Sequence, residues 1–342
     1  MRLSIYGTTD VGRQREHNED SLLIIYSDGN GWVEATNLET NLTDKSGVVC
    51  VVADGMGGAN AGEVASEIAI TTVRETIGKL ISVPSVPQEV EKMLASIIQD
   101  GHNRIIKASK RSGSLIGMGT TIVIACFFGD NIYVSWSGDS RCYIYNKENS
   151  IELLPFTDDH SLVWERVKSK EISPEEARLS DDSNLILQSL GGASQKPDPE
   201  FRWAKLNKND RILLCSDGLN SMLSNIGIQQ ILDYNSTPGE TCESLIQAAN
   251  NAGGRDNITA IIVDVSENEK APVVTVVKET PSAIIVPIKP RKRRLYFFSV
   301  LFVLILIITA SIFYRTDVVK FFHSVFKAAD TTTFNLNQGY QE

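Results

Sequence analysis

The sequence predicts an α+β domain of two packed layers, and three observations carry the prediction. Amphipathic helical segments come in groups, and strand-like runs come in groups, instead of alternating one for one. Consecutive apolar runs after residue 119 are separated by Gly-Asp-Asn and Gly-Asp-Ser turns at hairpin spacing. Apolar runs of strand length also border repeatedly on an acidic residue next to Gly, Ser or Asn.

In chain order, Leu3 to Tyr6 reads as a short first strand, followed by a polar loop from Asp10 to Asp20 that carries Arg15, His17, Asn18, Glu19 and Asp20. Residues 28 to 44 are rich in Asn, Gly, Asp and Thr and read as a loop or irregular hairpin. Val48 to Ala53 is apolar and mostly β-branched, the composition of a strand buried on both faces; it ends in Asp54 and breaks into Gly55, Gly57 and Gly58. Ala61 to Leu80 has Val64, Ala65, Ile68, Ala69, Thr72, Val73 and Ile77 at helical period, and Pro87 to Arg111 repeats the pattern. The chain then returns to strands over Gly119–Phe128, Ile132–Ser137 and Cys142–Asn146. Residues 155 to 190 are charged, with short helical pieces and a capping pattern at Ser173-Pro174-Glu175-Glu176, and have the character of a flap; His160 lies in it. Strands at Phe201–Leu206, Arg211–Cys215 and Ile258–Val265 and helices at 225–234 and 241–252 complete the domain.

Asp54 at a strand end beside glycine suits a hard divalent cation, because the carboxylate and a freed carbonyl such as that of Gly55 are oxygen ligands. Asp-Gly after a strand is also an ordinary turn. Recurrence separates the two readings: Asp139 follows VSWSG, Asp217 follows RILLCS, Asp256 precedes Ile258–Val265, and Glu19 with Asp20 precede Leu22–Ile25. A sheet would bring several of these to one edge, where clustered carboxylates repel unless a cation lies between them. Arg15 is placed to clamp a phosphate through parallel hydrogen bonds, or to form a solvated pair with Glu19.

The net charge of −9 and the lack of a basic stripe in the first 270 residues give nucleic-acid binding little support. Five scattered cysteines, mostly in apolar runs, read as reduced core residues of a cytosolic domain, and MRLSIYGTTD has no apolar signal segment.

The motifs RQREHNED, ADGMGG, GMGTT, SGDSR, TDDHS, CSDGL and GGRDNIT, in this order over residues 1 to 267, resemble the bacterial form of the protein phosphatase 2C family of metal-dependent serine/threonine phosphatases. The resemblance implies an α-β-β-α sandwich of two antiparallel sheets flanked by helices, with a Mn²⁺ or Mg²⁺ centre of two or three ions at one end. By that resemblance Asp54 bridges two metals, the Gly55 carbonyl ligates one, Asp217 and Asp256 hold the other, and Asp139 with Asp217 holds a third. Glu19 and Asp20 bind metal directly or through water, and Arg15 takes the substrate phosphate. The implied reaction is hydrolysis of phosphoserine or phosphothreonine in proteins by a metal-bridging hydroxide, opposing a bacterial Ser/Thr kinase. Four positions depart from the family pattern: Met56 stands where animal relatives have a His, and Ser180-Asp181 and Gln188 replace flap residues common in bacteria.

Residues 268 to 294 form a linker that ends in the basic cluster Lys289, Arg291, Lys292, Arg293 and Arg294. Leu295 to Tyr314 is then free of charge, and at about 1.5 Å per residue it spans the ~30 Å of a bilayer. The expectation is one transmembrane helix at 295–314, the catalytic domain on the cytoplasmic side, and a short extracytoplasmic tail at 315–342. A catalytically silent phosphoprotein-binding scaffold at the membrane is the alternative, which intact ligand positions disfavour.

Overall fold

Alternate residues of Gly47–Met56 face two different cores, and this strand accordingly lies inside the molecule. Val49, Val51 and Ala53 pack beneath helices, whereas Val48, Cys50 and Val52 pack against a second sheet. The computed structural model describes residues 1–57, 61–149, 152–180, 182–192, 196–234 and 236–267, all within one compact unit, Met1–Val276. The expected linker at 268–294, membrane span at 295–314 and tail at 315–342 lie outside the described residues, as do Gly58 and Asp181. Among the described residues no helix is long and apolar enough to cross a membrane.

The elements in order are β1 (Arg2–Asp10), β2 (Asp20–Ser27), β3 (Trp32–Glu34), β4 (Asn37–Asn41), β5 (Gly47–Met56), α1 (Ala61–Ile77) and α2 (Pro87–Ser109). After a 3₁₀ turn at Gly113–Leu115 come β6 (Gly119–Thr120), β7 (Ile122–Phe128), β8 (Asn131–Ser137), β9 (Arg141–Asn146), α3 (Leu162–Lys168) and α4 (Pro174–Arg178). The last are β10 (Leu190–Gly191), β11 (Glu200–Lys205), β12 (Asp210–Cys215), α5 (Asp217–Asn220), α6 (Asn225–Tyr234), α7 (Pro238–Asn251) and β13 (Ile258–Ser266). One sheet runs β4-β1-β13-β12-β9; the other runs β10-β6-β5-β7-β8-β11, with β2 on β5 and β3 on β2. Every described pairing is antiparallel.

Three apolar layers hold this together. Ala65, Ala69 and Val73 of α1 and Leu94, Ile98 and Ile105 of α2 cover the β5–β7 face. Leu3, Ile5, Val123, Ile212 and Val263 fill the space between the sheets. Ile228 and Leu232 of α6 with Leu245 and Ala249 of α7 cover the outer face of the first sheet. The order of layers is therefore helix, sheet, sheet, helix, as the family resemblance implies; the two layers read from the grouping of elements become four because each sheet carries its own helical cover. Burial of whole side chains on both faces, at about 25 cal/mol per Å² of apolar surface, is what makes the uninterrupted apolar runs stable as strands. All five cysteines are buried and free.

Some boundaries differ from those read in the sequence, for physical reasons. The first strand runs to Asp10 because it pairs along its length with β13 and over part of it with β4. The polar stretch 28–44 contains β3 and β4, whose backbone bonds to β2 and β1 outweigh a loop-like composition. The run 119–128 breaks at Thr121, whose N–H donates to Asp54 O (2.9 Å) and whose Oγ1 accepts from Asp54 N (3.1 Å). Helix α7 starts earlier, at Pro238, where Thr237 and Glu240 form a reciprocal cap.

Candidate metal centre

The ends of β2, β5, β12 and β13 meet where the two sheets abut, and each delivers an acidic side chain there. Asp20 and Asp54 stand opposite one another across the β2–β5 pair. Asp20 is buried, and its Oδ2 accepts from Ser216 Oγ (2.7 Å) and Thr259 Oγ1 (2.6 Å), so it ties one sheet to the other. Burial raises its pKa to about 7, opposed by those two hydroxyls and reinforced by the charges of Asp217 and Asp256. Burial likewise pushes Asp54 well up, with the charges of Asp20, Asp217, Asp139 and Asp256 behind it. Asp217 opens α5 after the Ser216 N-cap; burial and then the charge of Asp256 raise it to about 6. Asp139, in the turn between β8 and β9, is pushed well up by burial and by the charges of Asp217 and Asp159.

The backbone is tightly approached at Gly55. A Cβ there would stand within hard contact of the Gly62 and Glu19 carbonyls, and Gly55 N donates to Glu19 O (3.2 Å). Glu19 is held by its backbone: its N–H donates to Asn257 Oδ1 (2.8 Å), and its carbonyl accepts from Ser66 Oγ (2.6 Å). Its carboxylate lies against Gly62 in the first turn of α1, where the helix dipole favours an anion.

Arg15 does not pair with Glu19. Its Nη2 donates to Asp256 Oδ2 at 2.6 Å, between partly exposed groups. Burial lowers the Arg15 pKa, but the hydrogen bond and charge of Asp256, then Glu19 and Asp217, raise it overall. All eight candidates, Arg15, Glu19, Asp20, Asp54, Gly55, Asp139, Asp217 and Asp256, thus belong to one neighbourhood linked by these contacts and fields.

The donor set fits a hard divalent cation. Asp20 Oδ1, Asp139 Oδ1 and Asp217 Oδ1 are buried with no hydrogen-bond partner among the described residues. A buried carboxylate oxygen left unpaired is costly, and a cation removes the cost. Among the described residues no three His, Cys, Asp or Glu groups close into a ligand set by themselves. Mg²⁺ and its close relatives take carbonyl and water oxygens beside carboxylates.

Several supporting residues were not singled out in the sequence. Ser216 and Thr259 hold Asp20. Asn257 Nδ2 donates to Val11 O and His17 O, each at 2.9 Å, which fixes the loop bearing Arg15. Arg141 forms two bonds to Asp159 (2.8 and 2.6 Å) and lies over Trp164, which fastens the flap beside Asp139. Each sits inside a motif that also carries a candidate ligand, and adjacency in those motifs was the available signal.

Residues 39–249 match the family model of protein phosphatase 2C, more than half of the chain. The chain belongs to the protein phosphatase 2C family. It is similar to the serine/threonine phosphatase stp of Listeria innocua, 35% identical over 256 residues that make up 75% of this chain and 93% of that protein. Among solved structures it is similar to the S. agalactiae serine/threonine phosphatase, with 31% identity and a TM-score of 0.66 over 77% of this chain and 100% of that one. It is also similar to the catalytic domain of the phosphatase PstP in complex with 2 manganese ions, with 29% identity and a TM-score of 0.61 over 78% of this chain and 99% of that one. This phosphatase is therefore an enzyme of the protein-serine/threonine phosphatase class, in a metal-dependent family.

Proposed function

We propose that this phosphatase hydrolyses phosphoserine and phosphothreonine in proteins with two, or three, Mn²⁺ or Mg²⁺ ions held by Asp54, the Gly55 carbonyl, Asp217, Asp256 and Asp139. Glu19 and Asp20 complete the site from its edge. The observation that carries this reading is the set of unpartnered, buried carboxylate oxygens on Asp20, Asp139 and Asp217 around Asp54. When bound, such ions act as Lewis acids that lower the pKa of water and offset charge on the phosphoryl group.

The chain's own residues supply the rest. Arg15, on a loop pinned by Asn257, has a planar pair of donors suited to two phosphoryl oxygens, and its tie to Asp256 keeps it beside the ligand set. Asp20, clipped by two hydroxyls, fixes the separation of the two sheets and thus of Asp54 from Asp217. Met56 offers no proton, so protonation of the leaving alkoxide falls to water.

A Ser/Thr kinase is the class of enzyme that must supply such a substrate, and this phosphatase would oppose it. The uncharged run Leu295–Tyr314 behind a basic cluster supports a single membrane span with the catalytic domain on the cytoplasmic side. The test uses the full chain expressed in bacteria. Mn²⁺-dependent release of phosphate from phosphothreonine but not phosphotyrosine peptides, in a membrane fraction that loses the enzyme when 295–314 is deleted, is expected. A fully soluble wild-type chain would overturn the anchor, and absent or metal-independent turnover would overturn the chemistry.

A further inference from the structure

His160 lies in the flap sequence, yet its side chain is only 12% exposed. Its ring stacks on Trp136 with centroids 6.2 Å apart and 15° between planes. Nδ1 accepts from Gly138 N (3.2 Å) and from Gln188 Nε2 (2.9 Å), which leaves the proton on Nε2 to donate to Glu200 (3.2 Å). The backbone repeats the tie: His160 N donates to Gly138 O (2.9 Å), and Leu187 N donates to His160 O (2.7 Å). Gly138 adopts φ +119°, and a Cβ on it would clash with Thr121, so the turn it begins is wedged between His160 and Thr121. That turn carries Asp139, and its Ser140 shares a 2.7 Å hydrogen bond with Thr121, whose Oγ1 and N–H both bond the Asp54 backbone. An unbroken path therefore runs from the flap return at Leu187 and Gln188, through His160, to the Asp139 turn and Asp54.

We propose that His160 is a positioning residue: its Nδ1 holds the Gly138-Asp139-Ser140 turn to the flap, so that Asp139 is presented to a metal only when the flap is seated. Gln188, a departure from the family pattern, is the flap's own contact to that same nitrogen. The inference rests on the reading of Asp139 as a metal-binding residue given above. Positioning groups behind a ligand change metal affinity or activity by about 10- to 100-fold when removed.

The test compares the full chain with His160→Phe, His160→Asn and Gln188→Ala. Phe keeps the stack on Trp136 and loses the acceptor; Asn keeps an acceptor near the Nδ1 position. Mn²⁺ binding is followed by electron paramagnetic resonance of the free ion, backbone exchange over 136–142 by mass spectrometry, and turnover with a phosphothreonine peptide. His160→Phe is expected to weaken the weakest Mn²⁺ site about tenfold and to speed exchange at 136–142, with turnover recovered at saturating Mn²⁺. Gln188→Ala is expected to shift the same way by less, and His160→Asn to stay close to wild type. Phe and Asn variants that behave alike, or a Phe variant that binds Mn²⁺ like wild type, would overturn the proposal. A wild-type chain that binds Mn²⁺ without turnover would instead overturn the functional reading and leave the binding comparison decisive; no Mn²⁺ binding by wild type would overturn both.

Discussion

A carboxylate oxygen buried without a donor is expensive, and Asp20, Asp139 and Asp217 each carry one beside further acidic groups. Arg15 offsets part of that charge through Asp256, but the pair is partly exposed, and such pairs are worth about 0–1 kcal/mol. A metal competing for Asp256 would meet little resistance. Arg15→Ala is therefore expected to tighten Mn²⁺ binding by no more than about fivefold while raising KM for a phosphopeptide, a split that calorimetry and kinetics together resolve. Weaker Mn²⁺ binding in this variant would mean that Arg15 supports the ligand set. That these acidic groups would gather was legible in the sequence, because Asp54, Asp139, Asp217 and Asp256 each border an apolar run, and strand ends project side chains predictably. The partner of Arg15 was not, since Asp256 lies 241 positions away and the two meet through long-range contacts, the β1–β13 pairing and the bonds of Asn257 to the Arg15 loop.

At the level of elements, β5 and α1 approach so closely that Gly55 and Gly62 leave no room for a methyl group. Gly55→Ala should part the end of β5 from the start of α1. Loss of Mn²⁺ binding with a fold still intact by circular dichroism is the expected result, whereas wild-type affinity would remove the Gly55 carbonyl from the ligand set. The flap hangs on the mostly buried Arg141–Asp159 pair and on Arg178, which donates to Ser221 O at 3.0 Å. Breaking a buried pair from one side costs about 3–5 kcal/mol, so Asp159→Ala should lower the urea midpoint measurably; an unchanged midpoint would show that the pair contributes nothing net. Helical period made α1 and α2 readable, and the cap at Ser173 is present as the sequence suggested. Strands β3 and β4 were hidden, because they are only three and five residues long inside a mostly polar stretch and their pairing with β2 and β1 defines them.

For the molecule as a whole, the acidic cluster sets a pH dependence with a definite sign. Asp20 sits at about 7 and Asp217 at about 6, above the ordinary 3.8. Between pH 4 and 7 the unfolded chain therefore binds fewer protons than the native one, and stability falls as pH rises. In chelator the melting temperature is expected to drop by at least about 5 °C from pH 5 to pH 8, and Mn²⁺ should restore more of it at pH 8 than at pH 5. A melting temperature that climbs with pH in chelator would contradict the burial of these groups as acids. The α+β class was legible in the grouping of helical and strand-like runs, and the sandwich followed from the family resemblance of the motifs; which strands neighbour which was not legible in the patterns, since β1 and β13 pair from opposite ends of the domain. The most direct measurement is phosphate release from a phosphothreonine peptide by the full chain, with Mn²⁺ and with chelator, beside Asp54→Asn. Turnover that needs Mn²⁺ and falls more than about a hundredfold in the variant is expected; turnover that survives either chelation or Asp54→Asn would contradict a metal centre at the meeting of the two sheets.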